Sequence, residues 1–109
     1  MSGERRKDPR HVVIGIEAKL NGIASTIIDI SLRGVRLMRP SELVTDEIAL
    51  IDFTLHEAGN SSARLFRVEG RLIRATAVDV TYIYAPPVRR WEAMLRAHNT
   101  FAQTALTRI

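Results

Sequence analysis

The stretch RLFRVEGRLIRA, residues 64–75, decides the fold class, because apolar and charged side chains alternate along it. Phe66 and Val68 fall on one side of an extended chain, and Arg67 falls on the other. A period of two residues is typical of a β-strand with one buried face. The turn-forming sequence GNSS just before it marks where the strand begins. The segment therefore predicts a long strand of a sheet.

Shorter segments on either side also have the composition of strands, with β-branched and aliphatic residues between turn sequences. The predicted strands cover residues 12–20, 23–30, 35–38, 47–55, 64–75 and 77–84. The pair Asn21-Gly22 separates the first two and is a strong signal for a hairpin turn. These segments predict an all-β fold, a six-stranded antiparallel β-barrel over residues 12–84.

The pattern changes after Pro86-Pro87, where apolar residues recur at steps of three and four. The stripe comprises Val88, Trp91, Leu95, His98, Ala102 and Ala105. This period predicts a C-terminal α-helix over residues 86–106 with proline in its first turn. We expect the stripe to pack against the wall or the mouth of the barrel.

The composition indicates a single domain, residues 1–109, with an ordinary apolar content of 46%. No apolar run approaches the roughly 18 residues of a membrane span, and the first residues are polar. We therefore expect neither a membrane anchor nor a signal peptide. The lack of cysteine excludes disulfides and thiolate metal sites and fits a cytoplasmic location.

Arginine dominates the charged residues. Basic residues number 16 against 12 acidic ones, and every basic residue except Lys7 and Lys19 is arginine. Arginine pairs bidentately with phosphate and stacks on flat rings, so this bias favours a partner with phosphates or bases. It also fits an ordinary soluble surface.

Residues 1–11 have too few apolar side chains to bury themselves, and we expect them to form a flexible arm. Within it, Arg6 and Arg10 form an R-x-x-x-R spacing. Pro9 biases Asp8 toward an extended conformation, which puts the two arginines up to about 13 Å apart. Two guanidinium groups at that separation can hold two ends of one ligand, although the spacing alone also fits a solvated basic tail.

A second pattern, D-x-S-x-x-G, begins at Asp29 near the end of the second predicted strand. Alternation places Ile28 and Ile30 inside the barrel and Asp29 and Ser31 outside. A carboxylate can accept two hydrogen bonds from the N1–H and N2–H₂ donors of guanine, and a serine hydroxyl can donate or accept. Gly34 suits a turn that needs a positive φ or the close approach of a ligand. The pattern alone also fits an ordinary turn.

The hairpin brings the two segments together. The start of its first strand lies beside the end of its second, so we expect Arg10 at the same end of the barrel as Asp29 and Ser31. Two arginines and an acceptor pair then converge on one site although they are distant in sequence. This combination is more specific than either segment alone.

The combination resembles the PilZ domain family. The signature of that family is an R-x-x-x-R arm before the first barrel strand and a [D/N]-x-S-x-x-G at the end of the next, matched here by Arg6–Arg10 and Asp29–Gly34. The resemblance implies a PilZ-type barrel that binds cyclic di-GMP on its outer surface, clasped by the arm. It also implies a receptor that signals to a downstream protein partner by ordering the arm, with no further cofactor.

The resemblance further implies roles for individual residues. Arg6 and Arg10 would bind phosphates and the O6/N7 edge of guanine. Asp29 would bind a guanine donor edge, Ser31 would add a polar contact, and Gly34 would give clearance. The supporting candidates are Arg5, Arg36 and Arg33, the last of which stands where many relatives carry a small residue and either stacks on a guanine or crowds the site.

Two other functions stay open. One is a PilZ-like adaptor that contacts proteins and binds no nucleotide. The other is a small barrel that binds single-stranded nucleic acid, which normally displays aromatic platforms, whereas aromatics make up only 6% of this chain. No catalytic residue, metal site or enzyme activity is expected, because the chain has no nucleophile motif, phosphate loop or metal-ligand spacing, and its histidines are scattered.

Overall fold

In a computed structural model of the protein, residues 8–39, 46–56 and 63–98 are described. Over these residues the chain forms seven strands and one helix. The strands are β1 (Ile16–Leu20), β2 (Ile23–Ser25), β3 (Ile27–Ile30), β4 (Gly34–Met38), β5 (Ile48–His56), β6 (Ala63–Ala75) and β7 (Asp79–Ile83). Their order in the sheet is β2-β1-β5-β6-β7-β4-β3, with every neighbouring pair antiparallel. The sheet curls into a nearly closed barrel, which confirms the predicted architecture.

The difference between six predicted strands and seven observed ones lies at Thr26. This residue interrupts the predicted strand 23–30, so that β2 pairs with β1 whereas β3 pairs with β4 at the other edge of the sheet. The carbonyl of Thr26 accepts a hydrogen bond from the N–H of Met38 at 2.8 Å. One continuous piece of chain therefore supplies both edges of the sheet and draws them together.

The hairpin between β1 and β2 forms at the predicted turn. Asn21 and Gly22 have φ values of 50° and 85°, the left-handed pair that a two-residue hairpin loop requires. The first strand starts at Ile16 and not at residue 12. Its start is delayed because Gly15 adopts a φ of 86°, which is incompatible with an extended strand.

The barrel interior is apolar. Its fully buried strand residues include Leu20, Ile30, Val35, Leu37, Ile51, Phe53, Leu55, Val80 and Tyr82. The helix α1, residues 91–98, adds Trp91 and Leu95, and neither side chain is exposed. The rings of Trp91 and Phe53 have centroids 5.5 Å apart. Trp91 and Leu95 of the predicted stripe thus pack against the barrel core, whereas Val88 is exposed ahead of the helix, and Ala102 and Ala105 lie outside the described residues.

The helix begins at residue 91 and not at residue 86. Pro86 and Pro87 are not in its first turn but in the irregular connection ahead of it, where the Trp91 N–H donates to the carbonyl of Val88 at 3.2 Å. A residue that precedes proline disfavours the helical region, so consecutive prolines delay the first helical turn. The predicted end of the helix at residue 106 lies outside the described residues.

Candidate ligand-binding site

Asp29 lies on the outside of the barrel, as expected. Its partner on β4 is Arg36, whereas Ile27 and Ile30 on either side contact the core. The expectation that Ile28 faces the interior is wrong, because the register shifts between Ile27 and Asp29 and leaves Ile28 as the extra residue of a β-bulge. A bulge resets the alternation of a strand, so positions 27 and 30 face inward.

The arm reaches the same rim through His11. Its backbone forms an isolated antiparallel bridge with Ile30, with N···O distances of 2.7 and 2.9 Å. Its imidazole is buried, with Nε2 3.0 Å from Oε2 of Glu92 on α1. The neighbouring Arg10 stands beside Asp29, with Nη1 3.6 Å from Oδ2. The juxtaposition expected from the hairpin is therefore present for Arg10.

Arg36 extends the ion pairs around Asp29. Its Nη2 lies 3.5 Å from Oδ2 of Asp29, and its Nη1 lies 3.9 Å from Oδ2 of Asp79 on β7. Both separations exceed a direct hydrogen bond of about 2.7–3.2 Å. Within the described ranges, Arg36 Nε is the one buried side-chain nitrogen or oxygen without a hydrogen-bond partner. It is a donor for which the described residues supply no acceptor.

Arg33 and Asp8 form the shortest ion pair at this rim. Nε and Nη2 of Arg33 donate to Oδ2 and Oδ1 of Asp8 at 3.1 and 3.0 Å, a bidentate arrangement. The carboxylate raises the pKa of Arg33, first through these hydrogen bonds and then through its charge. Asp8 lies inside the R-x-x-x-R spacing and Arg33 inside the D-x-S-x-x-G pattern. The pair therefore ties the two segments together.

Ser31 and Gly34 form the turn between β3 and β4. The N–H of Ser31 donates to the carbonyl of Gly34 at 2.7 Å, and its hydroxyl lies 3.3 Å from the same oxygen. Among the described glycines only Gly15 and Gly22 have a positive φ. A Cβ at position 34 would meet the Ser31 hydroxyl at 3.5 Å and the Tyr82 carbonyl at 3.6 Å, which are ordinary contacts. The backbone reason expected for Gly34 is therefore wrong, and clearance for a ligand stays a prediction.

Tyr84 connects this turn to the core of the barrel by hydrogen bonds. Its hydroxyl donates to the carbonyl of Ser31 at 2.5 Å and accepts from Nε1 of Trp91 at 2.9 Å. Burial raises the pKa of the Tyr84 phenol well above its usual value, so the hydroxyl keeps its proton and remains a donor. The backbone N–H of Tyr84 also donates to the carbonyl of Arg33 at 3.0 Å. The turn is thus hydrogen-bonded to the core and, through Trp91, to α1.

One open cleft of about 230 Å³ lies at this rim. The contributions from the two segments are Asp8, Arg10, Asp29, Ser31, Arg33 and Gly34. The cleft also has apolar lining from Ile73 on β6 and Ile83 on β7, which are 58% and 42% exposed. Sequence reasoning missed both. Outward strand positions are usually polar. The alternation of the sequence places an isoleucine outward on each of these two strands, and this could have indicated an apolar surface outside the barrel.

Two predicted residues, Arg5 and Arg6, lie outside the described residues. Ligand contacts of all the predicted site residues stay predictions.

The described part of the chain contains no group of three or more metal-ligating side chains that could hold an ion. His11 lies beside Glu92 and His56 beside Glu17, whereas His98 on α1 has Nε2 3.3 Å from the backbone oxygen of His56. No described helix has the length and apolar character needed to cross a membrane.

Comparison with known proteins identifies the fold. No family and no curated protein matches the sequence. The barrel is nevertheless PilZ-like. The chain is similar to the Bacillus subtilis inhibitor of motility MotI/DgrA, a PilZ-domain protein, with a TM-score of 0.65 and 15% identity over 94% of this chain and 52% of that one. A second similar structure is an uncharacterised Legionella protein, with a TM-score of 0.53 and 13% identity over 86% and 89% of the two chains. This chain spans about half the length of MotI/DgrA, and identities this low show the fold alone.

Proposed function

We propose that the protein is a PilZ-like receptor that binds cyclic di-GMP and passes the signal to a protein partner. The observation that carries this proposal is the meeting of Arg10 and Asp29 at one cleft, with Ser31 on its wall. A guanidinium, a carboxylate and a hydroxyl are the groups that recognise a phosphate and the edges of guanine. The PilZ-like fold and the two sequence patterns support the same ligand.

The charges of the rim indicate that the arm must contribute to binding. The described ion pairs join Arg10, Arg33 and Arg36 with Asp8, Asp29 and Asp79. Equal numbers of opposite charges leave this rim close to neutral, whereas the ligand carries two phosphates. Arg5 and Arg6 precede Asp8 by three and two residues in the sequence. In this proposal Arg6 contacts one phosphate and Arg10 the other.

The ion pairs around Asp29 can be exchanged for ligand contacts at low cost. At 3.5 to 3.9 Å they are longer than hydrogen bonds, so charge-assisted bonds of about 1.5–3 kcal/mol each would replace weak contacts. Ile73 and Ile83 provide an apolar surface on which a flat base can pack.

Closure of the arm is the proposed signal. Asp8 and His11 contact the barrel, and in this proposal the residues before Asp8 close over the ligand. Ordering costs about 1–2 kcal/mol per residue, which several charge-assisted contacts formed together would offset. His11 also touches Glu92, so the position of the arm is linked directly to α1.

The test is isothermal titration calorimetry with cyclic di-GMP. We expect Arg6→Ala, Arg10→Ala and Asp29→Ala each to weaken binding at least about tenfold, since each removes a charge-assisted contact worth more than 1.4 kcal/mol. The titration also gives the number of dinucleotides bound per chain. A folded parent protein that shows no binding would end the proposal.

The matched control is Arg96→Ala, which removes an exposed arginine from α1 that does not line the cleft. It should bind like the parent. GTP titrated in place of the cyclic dinucleotide measures the contribution of a single guanine. If the three cleft variants also bind like the parent, the ligand does not occupy this cleft.

A second candidate function is an adaptor that binds proteins and no nucleotide. The observation in its favour is the bidentate pair of Arg33 and Asp8, which lies across the cleft and satisfies both charged groups without a ligand. An adaptor would show no heat with cyclic di-GMP while remaining folded. The same titration therefore separates the two functions.

Binding of single-stranded nucleic acid has less support. Phe53, Tyr82, Tyr84 and Trp91 are buried, and Phe66 is half-buried. The described part of the chain thus presents no exposed aromatic platform for stacked bases. A steep salt dependence of oligonucleotide binding, together with indifference to cyclic di-GMP, would favour this function instead.

A further inference from the structure

A second cavity of about 490 Å³ shares no residue with the cleft. It lies between the start of β6 and the turn that leads into α1. Its apolar surface comes from Leu65, Phe66, Val88 and Met94, and its charged residues are Arg64, Arg89 and Arg90. We call it the arginine groove. Leu65, near the start of β6, is 65% exposed, so part of this apolar surface faces solvent.

The groove runs along residues 63–70 of β6, where the described part of the chain pairs a strand on one side only. On one side β5 pairs with β6 from Ala63 to Arg71, but on the other side β7 pairs only with Arg71–Ala75. In an antiparallel sheet, alternate residues direct N–H and C=O to opposite sides. Between Ala63 and Gly70, half of these groups therefore face a side where the described part of the chain places no strand. Such an edge can accept an added strand from another chain.

The charge of the groove is of one sign. None of its lining residues is acidic. Over residues 8–39, 46–56 and 63–98, none of Arg64, Arg89 and Arg90 forms a salt bridge. By contrast, Arg67 on the same strand is paired with Asp52 at 2.7 Å. Three guanidinium groups around an apolar surface favour an occupant that supplies both carboxylates and apolar side chains.

We propose that the arginine groove binds an acidic segment of a partner protein as an added strand on β6. Aspartate or glutamate side chains of that segment lie against the three arginines, and its alternate apolar side chains lie on Leu65 and Met94. Charge disfavours two other occupants. Residues 99–109 of this chain contain no acidic side chain and one arginine, and a second copy that docks through the same groove would bring one arginine rim against another.

Contacts between side chains join the groove to the cleft. The ring of Phe66, which lines the groove, lies 5.4 Å from Trp91. Nε1 of Trp91 donates to Tyr84, and Tyr84 donates to the carbonyl of Ser31 in the cleft. A role for the groove as the surface that reports dinucleotide binding rests on the proposed function. Docking of the acidic segment itself does not.

The test uses fluorescence anisotropy without any dinucleotide, so its result is independent of the proposed function. The probe is a fluorescein-labelled heptapeptide in which leucine alternates with aspartate and glutamate. We expect the full-length protein to bind it at least tenfold more tightly than a peptide with lysine at the acidic positions. Amide hydrogen exchange across residues 63–70 should slow when the acidic peptide binds, because the added strand pairs with that edge.

The variant is the double charge reversal Arg89→Glu with Arg90→Glu. It should weaken binding of the acidic peptide at least tenfold. Both side chains are exposed, and glutamate is favourable ahead of a helix, so the fold should survive. The matched control is Arg74→Glu with Arg96→Glu, which makes the same change of net charge at exposed positions outside the groove. The control should bind like the parent.

Four results would overturn the proposal. The first is equal binding of the acidic and lysine peptides, and the second is equal binding by the reversed variant and its control. A dimeric parent that becomes monomeric in the reversed variant, seen by sedimentation, would assign the groove to a second copy. Peptide binding that appears only after removal of residues 99–109 would assign it to the end of this chain.

Discussion

The cleft and the aromatic cluster beneath it are held together in different ways. The cluster consists of Phe53, Phe66, Tyr84 and Trp91, whose neighbouring rings lie 5.4 to 6.5 Å apart. Its hydrogen bonds are 2.5 and 2.9 Å long, and the one between Trp91 and Tyr84 is buried. The ion pairs around Asp29 are 3.5 to 3.9 Å long and partly exposed. The cluster consists of packed rings with fixed neighbours, whereas the charged side chains of the cleft can exchange their partners for a ligand.

This contrast separates stability from binding. Burial of large aromatic side chains contributes several kcal/mol each, whereas exposed ion pairs contribute little. Substitutions in the cluster should therefore act mainly on the free energy of unfolding. Substitutions in the cleft should act mainly on ligand affinity. A variant that violates this division would show that the two regions are energetically coupled.

The largest effect is expected for Trp91→Ala. Trp91 is fully buried and contacts three other aromatic rings, so its removal leaves a cavity at the centre of the cluster. We expect a loss of about 3–5 kcal/mol in the free energy of unfolding, measured by urea denaturation. Trp91→Phe keeps part of the volume and should lose less. Equal, small losses in both variants would show that the cluster does not dominate stability.

Tyr84→Phe should have an intermediate effect and tests the boundary between the two regions. It leaves Nε1 of Trp91 and the carbonyl of Ser31 without their partner, which costs about 1–3 kcal/mol of stability. Since Ser31 belongs to the cleft, we also expect weaker binding of cyclic di-GMP. Both changes are measurable on the same preparation, by denaturation and by calorimetry.

Tyr82→Phe is the matched control for that variant. The hydroxyl of Tyr82 donates to the carbonyl of Asp46 at 3.0 Å, away from the cleft lining. Its loss should lower stability and leave dinucleotide binding unchanged. If Tyr84→Phe also binds like the parent, the hydrogen bond beneath the turn does not position the site.

The parts of this fold that local chemistry determines could be predicted from sequence. Alternation along β6 correctly separated buried Val68 from exposed Arg67 and Glu69. The tight turn at Asn21-Gly22 depends only on residues that tolerate a positive φ. The position of Arg10 beside Asp29 followed from the antiparallel return of the chain.

The remaining features depend on contacts between distant segments. The bulge at Ile28 arises where β3 pairs with β4. A prediction that assumes strict alternation of side chains cannot detect such an extra residue. From the sequence alone, Arg33 either stacks on a guanine or crowds the site. Nothing in the sequence indicates that Nε and Nη2 of Arg33 both donate to Asp8. The apolar part of the cleft comes from β6 and β7, and it required the order of the strands in the sheet.

The smallest effect, and the sharpest test of the cleft, is expected for Asp8→Ala. This change removes a negative charge from the rim and releases both donors of Arg33. At a separation of several ångströms in a solvated cleft, the lost repulsion should strengthen cyclic di-GMP binding about two- to fivefold. The gain should shrink as salt is raised from 50 to about 300 mM, because exposed charges are screened.

Asp52→Ala is the matched control for that measurement. Asp52 accepts from Arg67 in the same bidentate geometry, at 2.7 and 3.2 Å, but on a part of the barrel that does not line the cleft. Both variants gain one unit of positive charge and release one arginine, at different places on the barrel. Stronger binding in both would point to a general charge effect. Weaker binding in Asp8→Ala alone would mean that the pair of Arg33 and Asp8 positions the arm for the ligand and does not compete with it.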